Sequence, residues 1–112
     1  MPHVRFYHAH IYFEAVTRAS AESLRETIQK TFAGPLRVHS LIDVPIGPHP
    51  QPMFEVDIPA DHKESFQTWL THHHGVHSVL IHPLSGDDMA DHRDYPEWVG
   101  VPLKLNLEFL KR

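Results

Sequence analysis

The sequence predicts an α+β domain: a ferredoxin-like split βαβ sandwich, with two helices on one face of an antiparallel sheet and an extra C-terminal strand. Two observations carry this expectation. Segments with strand and helix periodicity follow one another in the order β-α-β-β-α-β, and glycine and proline punctuate them. A chain of 112 residues suffices for one hydrophobic core and not two, so residues 1–112 are expected to form a single domain.

The first strand spans Val4 to Phe13, where β-branched and aromatic residues crowd together. Its alternating sets differ in chemistry: Tyr7, Ala9, Ile11 and Phe13 share one face, and Phe6, His8, His10 and Tyr12 the other. After Thr17, Ala21, Leu24, Ile28 and Phe32 recur at helical intervals with charged residues between them, and Gly34-Pro35 closes this helix. Leu36 to Val44 reads as a second strand, Pro45 to Pro52 as a rigid turn, and Met53 to Ile58 as a third strand. Asp61 and Glu64 have the spacing of a capping box at the start of a second helix, which buries Phe66, Trp69 and Leu70 and ends at Gly75. Val76 to His82 makes a fourth strand, and Asp87 to His92 a short helix that must stop near Pro96. Leu103, Leu105, Leu107 and Phe109 alternate with Lys104, Asn106 and Glu108, which suggests a fifth strand.

Composition narrows the chemistry. There are no cysteines, so disulfides, thiolate metal sites and cysteine nucleophiles are excluded, and any metal must be held by nitrogen and oxygen. The net charge of −4 and the lack of a Lys/Arg cluster argue against nucleic acid as a partner, because that affinity rests on neutralising phosphates. No apolar run of ~18 residues is present and Met1 to Arg5 lacks the pattern of a secretory signal, so a cytoplasmic protein without membrane contact is expected.

Twelve histidines stand out. A helix-covered sheet leaves its other face for a ligand or a second subunit, and His8, His10 and Tyr12 lie on that face. Histidines at i and i+2 in a strand point the same way, roughly 6.5–7 Å apart, which lets both imidazoles converge on one metal ion. In a split βαβ sheet the fourth strand neighbours the first, so His82 is the best third ligand, with Glu55 an alternative. His49, in the proline-rich turn, suits a residue that must meet a substrate, or is plain loop polarity. Asp88, His92 and Tyr95 recur at i, i+4 and i+7, so they would share a helix face on which Asp88 orients His92 as a general acid/base, or simply pairs with it. His72, His73 and His74 end the second helix, where polar side chains favour the carbonyl end of its dipole. His3, His39, His62 and His77 form no recognisable constellation.

Three segments, Tyr7-His8-Ala9-His10-Ile11-Tyr12-Phe13, Gly47-Pro48-His49-Pro50-Gln51-Pro52-Met53-Phe54 and Ile81-His82-Pro83-Leu84-Ser85-Gly86-Asp87-Asp88-Met89-Ala90-Asp91-His92, together resemble the DOPA 4,5-dioxygenase family. The resemblance implies a dimeric ferredoxin-like domain that opens a catechol ring, as in L-DOPA, by extradiol cleavage with O₂ at a non-haem metal, normally Fe(II). His8, His10, His49, His82 and His92 coincide with the family's histidine-bearing motifs. The roles expected are His8, His10 and His82 as metal ligands, His49, His92, Asp88 and Tyr95 as catalytic groups, and Tyr12, His49 and Tyr95 as substrate contacts. The alternative is a non-catalytic dimeric module that binds a small aromatic ligand or a metal.

Overall fold

The computed structural model describes residues 4–111, so His3 lies outside the described residues. Five strands form one antiparallel sheet: β1 (Phe6–Tyr12), β2 (Arg37–Val38), β3 (Met53–Pro59), β4 (Val79–Pro83) and β5 (Glu97–Val99), in the order β2-β3-β1-β4-β5. Helices α1 (Arg18–Thr31) and α2 (Lys63–His73) connect them as the split βαβ pattern requires, and α3 (Asp88–Arg93) follows β4. The expected fold class is the observed one. Among the described residues no helix is long and apolar enough to cross a membrane.

Alternation along the strands makes the sheet two-sided. Ala9 and Ile11 of β1, Phe54, Val56 and Ile58 of β3, and Val79 and Ile81 of β4 pack in one core with Ala21, Leu24 and Ile28 of α1 and Phe66 and Leu70 of α2. Phe66 meets Phe32 edge-on and stacks on Trp69, which ties the two helices together. The opposite face carries His8, His10 and Tyr12 from β1, Glu55 and Asp57 from β3, and His82 from β4; the register sets His8 directly against both His82 and Asp57, and His10 against Glu55.

Four local expectations need correction. The second strand is Arg37–Val38 with one further bridge, Ile42 to Met53, and not Leu36 to Val44. The Arg25 guanidinium takes the His39 carbonyl at 2.6 Å, removing it from the ladder. The fourth strand begins at Val79, not Val76, because Gly75 turns the chain at φ +59°, a conformation glycine adopts without strain, and His77 N–H closes the turn on the His74 carbonyl. The Asp61–Glu64 capping box does not form: a 3₁₀ turn at Ala60–His62 starts the helix earlier, from Pro59, and Asp61 pairs with His62.

The fourth correction concerns the C-terminus. The fifth strand is Glu97–Val99 on the edge beside β4, whereas residues 103–106 pair with no strand and Leu107–Leu110 is a 3₁₀ turn. The Leu103/Leu105 alternation is nevertheless real. Both side chains pack on a small second core of Tyr12, Met53 and Leu80, so the segment lies across the sheet face and not along its edge, and it is anchored where Asn106 N–H meets the Pro48 carbonyl. The face expected to be open is therefore covered at its Tyr12 end.

The helix-side core is expected to dominate stability. Phe66→Ala should cost about 3–5 kcal/mol, as removal of a fully buried aromatic ring does, measured by urea unfolding. A loss under about 1 kcal/mol would contradict this packing.

Candidate metal centre

Five imidazoles gather over β1 and β4. His8, His10 and His82 come from adjacent strands, with ring centroids 5.8 Å apart for His8 and His10, 5.4 Å for His8 and His82 and 5.1 Å for His10 and His82. His49 enters from the proline-rich turn and lies 4.1 Å from His10, and His92 enters from α3 and lies 4.2 Å from His82. The structure thus brings together all five histidines that the sequence singled out.

Local chemistry explains how the two off-sheet rings get there. Gly47 at φ +55° bends the turn, His49 N–H bonds to the Ile46 carbonyl, and His49 Nδ1 lies 2.8 Å from the Tyr12 hydroxyl. Asp87 caps α3 by accepting from Ala90 N–H at 3.0 Å. The buried Asp91 carboxylate accepts from the Ser85 hydroxyl at 2.5 Å and the Ser85 N–H at 3.1 Å, which docks α3 against the turn after β4.

The hydrogen bonds also fix ring orientation. His82 Nδ1 lies 2.9 Å from the Pro83 carbonyl and His92 Nδ1 2.7 Å from the Asp88 carbonyl. A carbonyl can only accept, so in each neutral ring Nδ1 carries the proton and Nε2 presents its lone pair. The main-chain carbonyl of Asp88, one turn earlier in α3, thus holds the His92 ring. His10 Nε2 lies 2.9 Å from His82 Nε2 and must donate to it, which leaves His10 Nδ1 as a buried acceptor with no hydrogen-bond partner.

These features fit a metal ion. Two nitrogens bound at right angles about 2.0–2.1 Å from one ion stand about 2.9 Å apart, the separation of the His10 and His82 Nε2 atoms. Donor atoms converge in two overlapping triplets, His8-His10-His82 and His10-His49-His92, and a third, mixed group joins His8 to Glu55 and Asp57. His8 Nδ1 is 3.4 Å from Glu55 and its Nε2 3.2 Å from Asp57, so one nitrogen can face an ion while a carboxylate holds the other.

Burial keeps His10, His49 and His82 uncharged. His10 is held well below the ordinary imidazole range, first by burial and then by its four histidine neighbours. Burial lowers His82 to about 3 and His49 to about 4, with His92 and His8 adding repulsion in both cases. Tyr12 is pushed up by burial, so its hydroxyl stays protonated and can donate to His49 Nδ1. Glu55 is raised to about 7, by burial and by its hydrogen bond with Asp57.

One expected site residue stands apart. Tyr95 lies beyond the end of α3, is 45% exposed, and borders a groove with Tyr7 and Pro83, so it does not share a helix face with His92. The sequence reading also missed His39, whose Nε2 lies 2.8 Å from Asp57 beside His8. Its position is legible only once β2 is paired with β3. His77, likewise set aside, is a buried structural pin whose Nδ1 bonds to the Tyr12 carbonyl and whose Nε2 meets the Ser20 hydroxyl.

The fold and site define a ferredoxin-like α+β domain with a largely buried, histidine-rich donor cluster on its sheet. By its sequence, the chain belongs to the Dopa 4,5-dioxygenase family, whose pattern it matches over residues 7–109. It is 32% identical to a DOPA 4,5-dioxygenase of Amanita muscaria over 93% of this chain and 49% of that protein. It is 35% identical to an uncharacterised 21.2 kDa protein of Botryotinia fuckeliana over 82% of this chain and 54% of that one. The chain thus spans about half the length of the curated relatives it matches. The solved structure of a candidate dioxygenase from Nostoc punctiforme superposes with a TM-score of 0.88 at 34% identity, covering 96% of this chain and 91% of that one.

The depressed imidazoles make the metal-free protein acid-sensitive. In the unfolded chain these histidines take protons near pH 6.5, whereas in the fold His49 and His82 stay neutral down to about 4 and about 3. The unfolded state binds more protons across that interval, so stability is full above about 6.5 and falls as pH drops toward about 4. Chemical denaturation of metal-free protein at pH 7 and pH 5 measures the slope, and equal stability at both would refute neutral burial.

Proposed function

We propose that this chain is an extradiol ring-cleaving dioxygenase that opens an L-DOPA-like catechol with O₂ at a non-haem metal, Fe(II) by preference. The observation that carries this reading is the inward convergence of the His10 and His82 Nε2 atoms, 2.9 Å apart, beside a buried His10 Nδ1 that lacks a partner. Family membership supplies the reaction class. His8, His10 and His82 are the proposed ligands, on three positions that strand pairing holds rigidly.

A divalent metal bound there would supply a Lewis acid that draws catechol oxygens and O₂ together. The protein's own groups handle protons and position. With its Nδ1–H held by the Asp88 carbonyl, His92 offers Nε2 to accept a phenolic proton. The Tyr12 hydroxyl, donating to His49 Nδ1, places the His49 ring proton on Nε2, where it is available to substrate oxygen. Leu103 and Leu105, lying over Tyr12 and Leu80, exclude water from that end of the site. Association as a homodimer completes the proposal, with Phe109, Val44 and Ile46 left exposed as apolar surface to cover.

His10→Ala or His82→Ala should abolish stoichiometric binding of Fe(II) under anaerobic reconstitution, and turnover with it. His92→Ala should keep the metal and still bind catechol, but lose turnover roughly 10²–10⁴-fold, as removal of a general acid/base does. Metal content and O₂ uptake measured on the same samples separate the roles; metal-free His92→Ala or fully loaded His10→Ala protein would reverse them. No O₂ uptake by wild type with any catechol would favour a non-catalytic binding module. Sedimentation should show a dimer at micromolar concentration, and a monomer there would remove the dimer from the proposal.

A further inference from the structure

We infer that the uncovered end of the site face is the substrate groove and that Arg37 makes it selective for an aromatic ring bearing an anionic group; this rests on the ring-cleavage reading above. Strand register lays one row of side chains across the sheet, His82, His8, Asp57 and Arg37, on four successive strands. The row next to it, toward the chain start, contains Phe6 and Pro59, and Leu84 joins it through a hydrogen bond from its N–H to the Phe6 carbonyl.

A groove of ≈ 340 Å³ runs along these rows, which is enough for one small aromatic molecule. Its walls are apolar: Phe6, Leu84, Pro35 and Pro59, with Phe6 48% and Leu84 38% exposed. His8 and Asp57 form its inner side, and His8 is the member of the histidine cluster that reaches it. Arg37 lines the same groove two strands from His8, about 10 Å away at the backbone. A benzene ring with a short tail bridges such a span.

The charges favour an anionic tail. Asp57, opposite Arg37 in the register, faces His8 at 3.2 Å and His39 at 2.8 Å. Among the described residues Arg37 is therefore left without a carboxylate partner. A guanidinium at the far end of an apolar groove binds a carboxylate through paired hydrogen bonds, while the ring rests on Phe6 and Leu84 with its hydroxyls toward His8 and His82. Arg37 is a specificity residue in this scheme and takes no part in bond cleavage.

The test compares wild type with Arg37→Met on dihydrocaffeate, a catechol with a propionate tail, and on uncharged methylcatechol. The variant should lose roughly 10- to 100-fold in kcat/KM for dihydrocaffeate through a raised KM, keep its rate with methylcatechol, and regain part of the loss as Arg37→Lys. A second measurement needs neither metal nor turnover: calorimetric titration of metal-free protein with phenylpropionate, which should bind wild type and bind Arg37→Met at least tenfold more weakly. Equal effects on both catechols, or unchanged phenylpropionate binding in Arg37→Met, would overturn the inference. Failure of wild type to cleave either catechol, with Arg37-dependent phenylpropionate binding intact, would count against the ring-cleavage reading and leave the anion-selective groove standing.

Discussion

The pairing of β1 on both sides is the constraint on which the remaining structure depends. Because β1 sits between β3 and β4, its two alternating sets are sorted completely: Ala9 and Ile11 vanish under the helices, and His8, His10 and Tyr12 are pushed onto the other face. Register then decides the chemistry. His8 opposes His82 on one side and Asp57 on the other, and a slip of one residue would send every imidazole of β1 into the apolar core. The hydrophobic pattern that folds the protein and the donor pattern that builds the site are thus one pattern.

Collecting five imidazoles in a small volume has an electrostatic consequence. If they were charged they would repel one another, so the fold holds the buried ones neutral, and a neutral imidazole is the form that can offer a lone pair. Main-chain carbonyls of Pro83 and Asp88 choose the tautomer without adding charge, which a carboxylate in the same places would do. His8 differs, being half-exposed and flanked by Glu55 and Asp57, so it is where the dry cluster meets groups that can carry charge.

Much of this was legible in the sequence because period-2 and period-3.6 patterns report which side of an element is buried. The strand order, the two faces of β1 and the proximity of His82 to His8 all follow from that information and from the split βαβ topology. What periodicity does not report is hydrogen bonding. Leu103 and Leu105 alternate because one side of the segment is buried, and a chain lying across a sheet face satisfies that as well as an edge strand does. The Arg25 bond to the His39 carbonyl and the Asp88 carbonyl bond to His92 are single long-range or main-chain contacts that no spacing encodes. His39 was invisible for the same reason: its relation to Asp57 exists only through the β2–β3 register.

The site face is graded along β1. Tyr12 is sealed beside Met53 and Leu80 under the C-terminal segment, His10 is buried next to it, His8 is half-exposed, and Phe6 is open to solvent. The proposed reaction between a polar aromatic molecule and O₂ would need both ends of that gradient, since substrate must arrive from water and the donors that bind it act most strongly where water is excluded. Successive same-face residues of a strand stand roughly 6.5–7 Å apart, about the size of one aromatic ring, so in the proposed reading a single step from Phe6 to His8 and another to His10 would carry a ligand from entry to centre. The gradient comes from what covers the sheet and not from the sheet itself: the C-terminal segment, α3 and the His49 turn leave the Phe6 end bare. A change in the length of any of these coverings would alter access to the histidines while leaving their register untouched, so substrate range can vary in this fold independently of the donor cluster.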